Sequence, residues 1–344
     1  MLNRVAWYEY RAVLHVHSTY SDGTGTVREI IDEAHRAGLD ILWLTDHNTD
    51  GAAIDPGPGY YGSLLFLVGA EVTPPRNHTL VLGHAHLPSH EEPLESIVSQ
   101  VLAQGALAFI AHPDDPGNAT ARLPSYRWDE RQVTTMTGLE VWNHLSDWSR
   151  RVTSIPRGLW ALWHPFRRLS PNPKTLELWD ALGQTRRVVG IGGVDAHQAK
   201  IGPLRIFPYA TSFRGVRTHI FTERPLSRDW EQNERMLLEA LSRGRAAMVN
   251  AHWGSEVGFR WWAEKTARPT ALMGDEAPYE SGWTLLGLAP VAANWEIWRN
   301  GQLVEERQGT LVEVPVTAPG VWRVLLRRGN PPEPWIYSNP IYFR

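Results

Sequence analysis

The sequence contains no cysteine. That excludes disulfides, thiolate metal sites and a cysteine nucleophile together. It also lacks a long basic run, and its formal net charge is -3, so the electrostatic footprint of a nucleic-acid binder is missing. Arg150-Arg151, Arg167-Arg168 and Arg186-Arg187 are isolated pairs that read as solvated helix faces. No apolar run is long enough to span a membrane. The opening M-L-N-R-V-A-W-Y-E-Y has no apolar signal-peptide core. Internal repeats and low-complexity segments are absent too. The expectation is a cytoplasmic protein with a small-molecule substrate and neither a membrane nor a nucleic-acid partner. A homo-oligomer is compatible with it. Tryptophan is plentiful, 17 in 344 residues, and core packing is the default reading for most of it.

The informative stretch is Val13 to Asp22, V-L-H-V-H-S-T-Y-S-D. Val13, Leu14 and Val16 predict a buried strand, and His15 and His17 two residues apart would share one of its faces. Two imidazoles side by side on rigid backbone make half of a metal site, although core histidines can produce the same pattern. Other strand ends repeat the theme. Leu39 to Thr45 leads into Asp46-His47-Asn48, Leu64 to Val72 carries Glu71 near its end, and Thr79 to Leu82 follows His78. Ala106 to Ala111 ends in His112, Leu139 to Trp142 has Glu140 and Asn143 at its end, and Val188 to Val194 ends in Asp195-Ala196-His197. Thr218 to Thr222 reads as a last strand. Helices are predicted from the Thr26/Glu29 capping box to Ala37, over 93–104, 157–168 and 173–184, and from a Ser227 cap to Arg243.

Strands alternating with helices predict an α/β fold in which polar residues converge at the C-terminal rim of a parallel barrel. From about Gly244 the helices give way to short alternating segments. Asn300-Gly301 marks a two-residue hairpin there. The division read from this change is a barrel over 1–243 and an all-β sandwich over 244–344.

Taken in order, H-V-H-S-T-Y-S-D-G, T-D-H-N, G-A-E-V-T, A-H-P and V-D-A-H resemble the polymerase and histidinol phosphatase (PHP) metallohydrolase superfamily. G-A-E-V-T with N-H-T-L-V-L-G and L-E-V-W-N, and the C-terminal P-W-I-Y-S-N-P-I-Y-F-R, are similar to its carbaryl-hydrolase-like branch. Val194 departs from the branch, which commonly has Ser before Asp-Ala-His. The resemblance implies a distorted (β/α)7 TIM-like barrel holding two to three divalent metal ions (Zn, Mn or Fe). It implies His15, His17, Glu71 and Asp195 on the first ion. Glu71 would bridge to a second held by His78 and His112, and Asp22, His47 and His197 would hold a third. His84 is an alternative to His78. His35 reads as surface, and His164, His219 and His252 match no motif position.

Such ions would make hydroxide available at neutral pH and polarise a phosphoryl or carbonyl oxygen. The activity implied is a metal-dependent phosphoesterase acting on a small phosphorylated metabolite or nucleotide. The branch implies carboxylic or carbamate ester hydrolysis as the alternative, and a non-catalytic binding module stands third. Glu71 and Asp195 are the catalytic candidates among the ligands. Lys200 and Arg122 are candidate phosphate contacts, with a plain surface role as the competing reading. Asp46 could orient a ligand or cap a turn. Asn143 and His144 could touch substrate, and Trp142 and Trp148 could stack on an aromatic leaving group.

Overall fold

The computed structural model describes residues 7–119, 123–201, 204–265 and 268–344. Arg122 lies outside the described residues. Lys200 falls in a two-residue strand whose side chains are likewise not described.

The chain is mixed α/β, with one large sheet and a β-rich C-terminal region. Its strands run β1 (Tyr8–Val13), β2 (Ile41–Leu44), β3 (Gly59–Tyr61), β4 (Leu64–Val72), β5 (Thr79–Leu82), β6 (Leu107–Ile110), β7 (Gly138–Asn143) and β8 (Val189–Gly193). β1, β2 and β4 pair in parallel, as do β6, β7 and β8. Between them β5 runs antiparallel to both β4 and β6. At the other edge, the backbone just past β1 meets that just past β8 through a Val16–Ala196 bridge. The His17 amide donates to the Ala196 carbonyl there, at 3.0 Å. β2, β5, β6 and β7 are buried along their whole length, as expected where helices cover a sheet, whereas β1 is buried only at its last two residues.

Helix α1 (Val27–Arg36) follows from its capping box. The Thr26 hydroxyl accepts from the Glu29 amide, the Glu29 carboxylate accepts from the Thr26 amide, and Val27, Ile30, Ile31 and Ala34 face the core. α2 (Leu94–Ala103) lies between β5 and β6, while α3 (His144–Arg151), α4 (Ile155–Trp163) and α5 (Pro173–Gly183) lie between β7 and β8. Two short strands, β9 (Lys200–Ile201) and β10 (Leu204–Arg205), form a hairpin before α6 (Tyr209–Ser212). β11 (Val216–Thr222) pairs antiparallel with β1, and α7 (Trp230–Ser242) leads to β12 (Ala246–Asn250). The helix expectations change at three points. The segment 157–168 is helical over Ile155–Trp163, and α3 went unrecognised because its eight residues are mostly polar. The cap of α7 is Asp229, whose carboxylate accepts from the Gln232 amide; Ser227 holds the turn before it.

The C-terminal strands are β13 (Arg260–Lys265), β14 (Arg268–Leu272), β15 (Glu276–Ala277), β16 (Thr284–Arg299), β17 (Gln302–Pro315), β18 (Gly320–Arg328), β19 (Glu333–Ser338) and β20 (Ile341–Phe343). The short segments expected from the alternation merge here into two long strands, β16 and its partner β17, with a register shift between Leu288 and Ala293. Asn300 and Gly301 join them with both φ angles positive, as a type I′ turn requires. The ladder continues across residue 244, because β12 pairs with both β11 and β19. Phe221, Ala247 and Val249 share a core with Trp261, Trp295, Trp322 and Trp335. Most tryptophans are packing residues.

Candidate metal centre

All nine donors singled out in the sequence come together past the ends of β1, β2, β6 and β8, near the last residue of β4 and just before β5. Glu71 sits at the middle, fully buried. Its Oε2 lies 3.3 Å from His15 Nε2, 3.5 Å from His17 Nε2 and 2.9 Å from His47 Nδ1. Its Oε1 lies 3.1 Å from His78 Nδ1 and 3.2 Å from His112 Nε2. Asp195 Oδ1 is 3.3 Å from both His15 Nε2 and His17 Nε2. Asp22 Oδ1 is 3.5 Å from His47 Nε2 and 3.2 Å from His197 Nε2.

Several of these atoms are close without being paired. His15 Nε2, His17 Nε2, His47 Nδ1 and Glu71 Oε2 are buried and make no hydrogen bond. Leaving such atoms orphaned is costly unless something else satisfies them. Donors around a four-coordinate ion at about 2.0–2.1 Å stand about 3.3–3.4 Å apart, which is the spacing of His15, His17, Glu71 and Asp195. The donor set therefore fits divalent metal.

Local backbone explains how the donors reach one point. The strand read through His17 ends at Val13, and His15 takes a left-handed conformation (φ 64°), as do His112 and Asp195 (φ 28° and 54°). Non-glycine residues hold such angles only where their surroundings impose them. His84, the alternative to His78, is turned away and faces Asp50 at 3.6 Å.

The charges are mutually compensating. Burial alone would raise the Glu71 carboxyl, but His15, His112 and His47 outweigh it and hold Glu71 well below the usual carboxylate range. The same balance, with His15, His17 and His197, holds Asp195 down. Burial, reinforced by the neighbouring His197 and His47, pushes the His17 ring down to about 3. Against the same burial, Asp22 and Glu71 raise His47 to about 10, and Glu71 raises His112 to about 9. A neutral His17 keeps the lone pair of one ring nitrogen free for a ligand role.

Three contributors escaped the sequence reading. Glu140, seen only as a residue at a strand end, accepts from His15 Nδ1 at 2.9 Å and, through its other oxygen, from the His112 amide at 2.8 Å and Asn143 Nδ2 at 2.9 Å. This fixes the tautomer that leaves His15 Nε2 facing Glu71. Tyr126 stacks on the His78 ring at 4.5 Å. Tyr209 donates to the His17 carbonyl at 2.7 Å. Only knowledge of which loops meet could have found the last two. Asp46 neither orients a histidine nor caps the turn after it. Its carboxylate accepts from the Ser18 amide (2.7 Å), the Ser18 hydroxyl (2.7 Å) and the Ser21 hydroxyl (2.6 Å), tying the loop that carries Asp22 to β2. Trp142 is fully buried against Tyr337, and Trp148 packs on Phe207, so neither can stack on a leaving group. Asn143 caps α3, and His144 is buried beside Phe166.

Residues 14–153 match the family model of the PHP domain. Error-prone DNA polymerases of Mycobacterium bovis and Mycobacterium tuberculosis are 33% identical over 128 residues, which is 36% of this chain and 9% of theirs. The chain thus corresponds to a small part of those polymerases. Among solved structures, a two-domain Bacteroides vulgatus protein containing a PHP-like metal-dependent phosphoesterase is 16% identical. The match covers 98% of each chain with a TM-score of 0.46. A Bifidobacterium adolescentis protein named as a predicted metal-dependent phosphoesterase is 17% identical over 57% of this chain and 90% of that one, with a TM-score of 0.36.

No helix among the described residues is long and apolar enough to cross a membrane.

Proposed function

We propose that this protein is a metal-dependent phosphoesterase that hydrolyses a small phosphorylated metabolite or nucleotide on a distorted seven-stranded (β/α) barrel. The observation carrying this reading is Glu71, a buried carboxylate whose two oxygens face two different donor sets. His15, His17, Glu71 and Asp195 would hold one ion, Glu71, His78 and His112 a second, and Asp22, His47 and His197 a third. Nitrogen and carboxylate donors without sulfur suit Zn, Mn or Fe. When bound, such ions supply a hydroxide at neutral pH and Lewis-acid polarisation of the phosphoryl oxygen.

The chain's own residues do the rest. Glu140 fixes the His15 tautomer, and His197 Nδ1 donates to the Asp195 carbonyl at 3.0 Å, which would leave the Nε2 lone pair to hold an ion together with Asp22. Tyr126, whose ring lies 4.5 Å from that of His78, would offer a hydroxyl donor to a substrate oxygen.

Phosphate is preferred to the carboxylic or carbamate ester that goes with the carbaryl-hydrolase-like branch. A cavity of about 480 Å³ is lined by Arg127, Arg131, Arg150 and Lys174 together with Asp114, Asp129 and Trp128; Arg131 pairs with Asp114 and Arg150 with Asp147. The cavity shares Asp114, Pro116, Arg150 and Asn172 with a smaller one that reaches His112 and Glu140. Arg127 and Lys174 on that lining favour a phosphorylated substrate, and among the described residues the lining holds one buried tryptophan, Trp128, rather than the wall of tryptophan that an aryl ester would use.

The test is elemental analysis of protein purified without chelator, with assays on p-nitrophenyl phosphate, bis-p-nitrophenyl phosphate and an aryl acetate. Two to three metal equivalents and phosphate-ester turnover abolished by Glu71→Ala are expected. Turnover of the acetate alone would replace this reading with the esterase, and protein that stays metal-free after addition of Zn, Mn or Fe would end both.

A further inference from the structure

Helix α4 is turned inside out. Its large apolar residues Ile155, Leu159, Leu162 and Trp163 recur at the spacing of a single helix face. They are 73%, 56%, 36% and 82% exposed. The face it buries is made of small residues, Gly158 and Ala161. Ala161 packs with Trp148 and Val152, and a Cβ on Gly158 would come within 3.1 Å of the Val152 side chain. Burial of apolar surface drives helix docking, so a helix that buries glycine and alanine while exposing tryptophan has no apolar partner among the described residues.

We propose that this partner is α4 of a second copy of the chain, packed antiparallel across a two-fold axis. The stripe is symmetric about Leu159, with Ile155 four residues before it and Trp163 four after. An antiparallel pairing sets Leu159 against its own counterpart and Ile155 against Trp163 in both directions, the self-complementarity a two-fold interface needs. The four side chains present roughly 500 Å² of contiguous apolar surface, the upper range for a monomer. Two copies would bury roughly 1,000 Å², the threshold of a specific interface.

A bilayer surface fits less well, because it asks for free cations beside the apolar stripe. The nearby arginines are engaged. Arg150 bonds Asp147, Arg151 the carbonyls of Asp147 and Pro165, and Arg157 the Thr153 hydroxyl. Arg167 pairs with Glu333, and Arg168 lies over Trp160. α4 also continues from α3, whose Ser146, Asp147 and Arg150 line the cavity beside His112. Pairing would steady one wall of that cavity.

The absence of cysteine makes the test clean. Light scattering after gel filtration should give twice the 38.9 kDa chain mass at micromolar concentration, and Leu159→Arg should give a folded monomer by circular dichroism. Under mild oxidation, Leu159→Cys should form a disulfide dimer. Neither Ile155→Cys nor Trp163→Cys alone should do so, but a mixture of the two should. A monomer at every concentration would overturn the proposal, as would a dimer that survives Leu159→Arg. So would a monomer that co-sediments with phosphatidylglycerol vesicles, in favour of the bilayer.

Discussion

At the scale of single residues, the cluster depends on side chains that donate nothing to it. Glu140 holds both His15 and the His112 amide, and Gly193 makes room for it: a Cβ there would stand 1.9 Å from Glu140 Oε1 and 2.9 Å from His15 Cβ. Glu140→Gln and Gly193→Ala are therefore expected to weaken metal affinity about 10–100-fold with all nine donors intact, measured by competition with a fluorescent chelator. Wild-type affinity in both would show that Glu140 is only packing. A different residue carries a pH signature. Burial, with the nearby Glu231 charge, raises the Glu234 carboxyl on α7 to about 7. Because its folded value lies above its unfolded one, the native state binds this proton more tightly. That contribution is complete below the ordinary carboxylate range and is lost as pH rises through about 7. Glu234→Gln should match the wild type in thermal midpoint near pH 4 and exceed it at pH 8. Equal midpoints at both pH values would show that Glu234 is solvated.

At the scale of elements, helix starts were legible where a short-range pattern fixes them. Thr26 and Glu29 sit three residues apart and form the capping box because nothing else is needed. α7 was harder, since Ser227 and Asp229 both suit a cap and the choice depends on where the chain leaves the turn. Asp229→Ala is expected to cost about 1 kcal/mol and Ser227→Ala less, read as the shift in the urea midpoint. The reverse order would move the cap to Ser227. Strand pairing was less legible still. The apolar residues of β5 say that it is buried, but not that it runs against both neighbours.

At the scale of the whole molecule, the sheet and the ion pairs join what the sequence separates. Arg323 on β18 makes two parallel hydrogen bonds to Asp180 on α5, at 2.7 and 2.6 Å, with both side chains buried. Asn339 spans the Gly190 and Ala246 carbonyls in the same seam. Removing one partner strands a buried charge, so Arg323→Ala should lose about 3–5 kcal/mol. The wild type should unfold in one transition whether followed by circular dichroism or by tryptophan fluorescence. Two separated transitions would show that the halves are independent.

The sequence by itself determined which histidines and carboxylates gather into one cluster and their approximate posts. A histidine or carboxylate just past an apolar run is a local fact, and local facts survive folding because a buried strand has few ways to end. It also determined that the C-terminal third is β-rich, since alternation and the Asn300-Gly301 turn act over a few residues. Tertiary structure decided everything that depends on which ends meet. It selected His78 over His84, brought Glu140 against His15 across 125 residues, gave Asp46 to the 18–21 loop, buried Trp142 and exposed Trp163. These outcomes rest on long-range packing and on the satisfaction of buried polar groups, which no periodicity within the chain encodes.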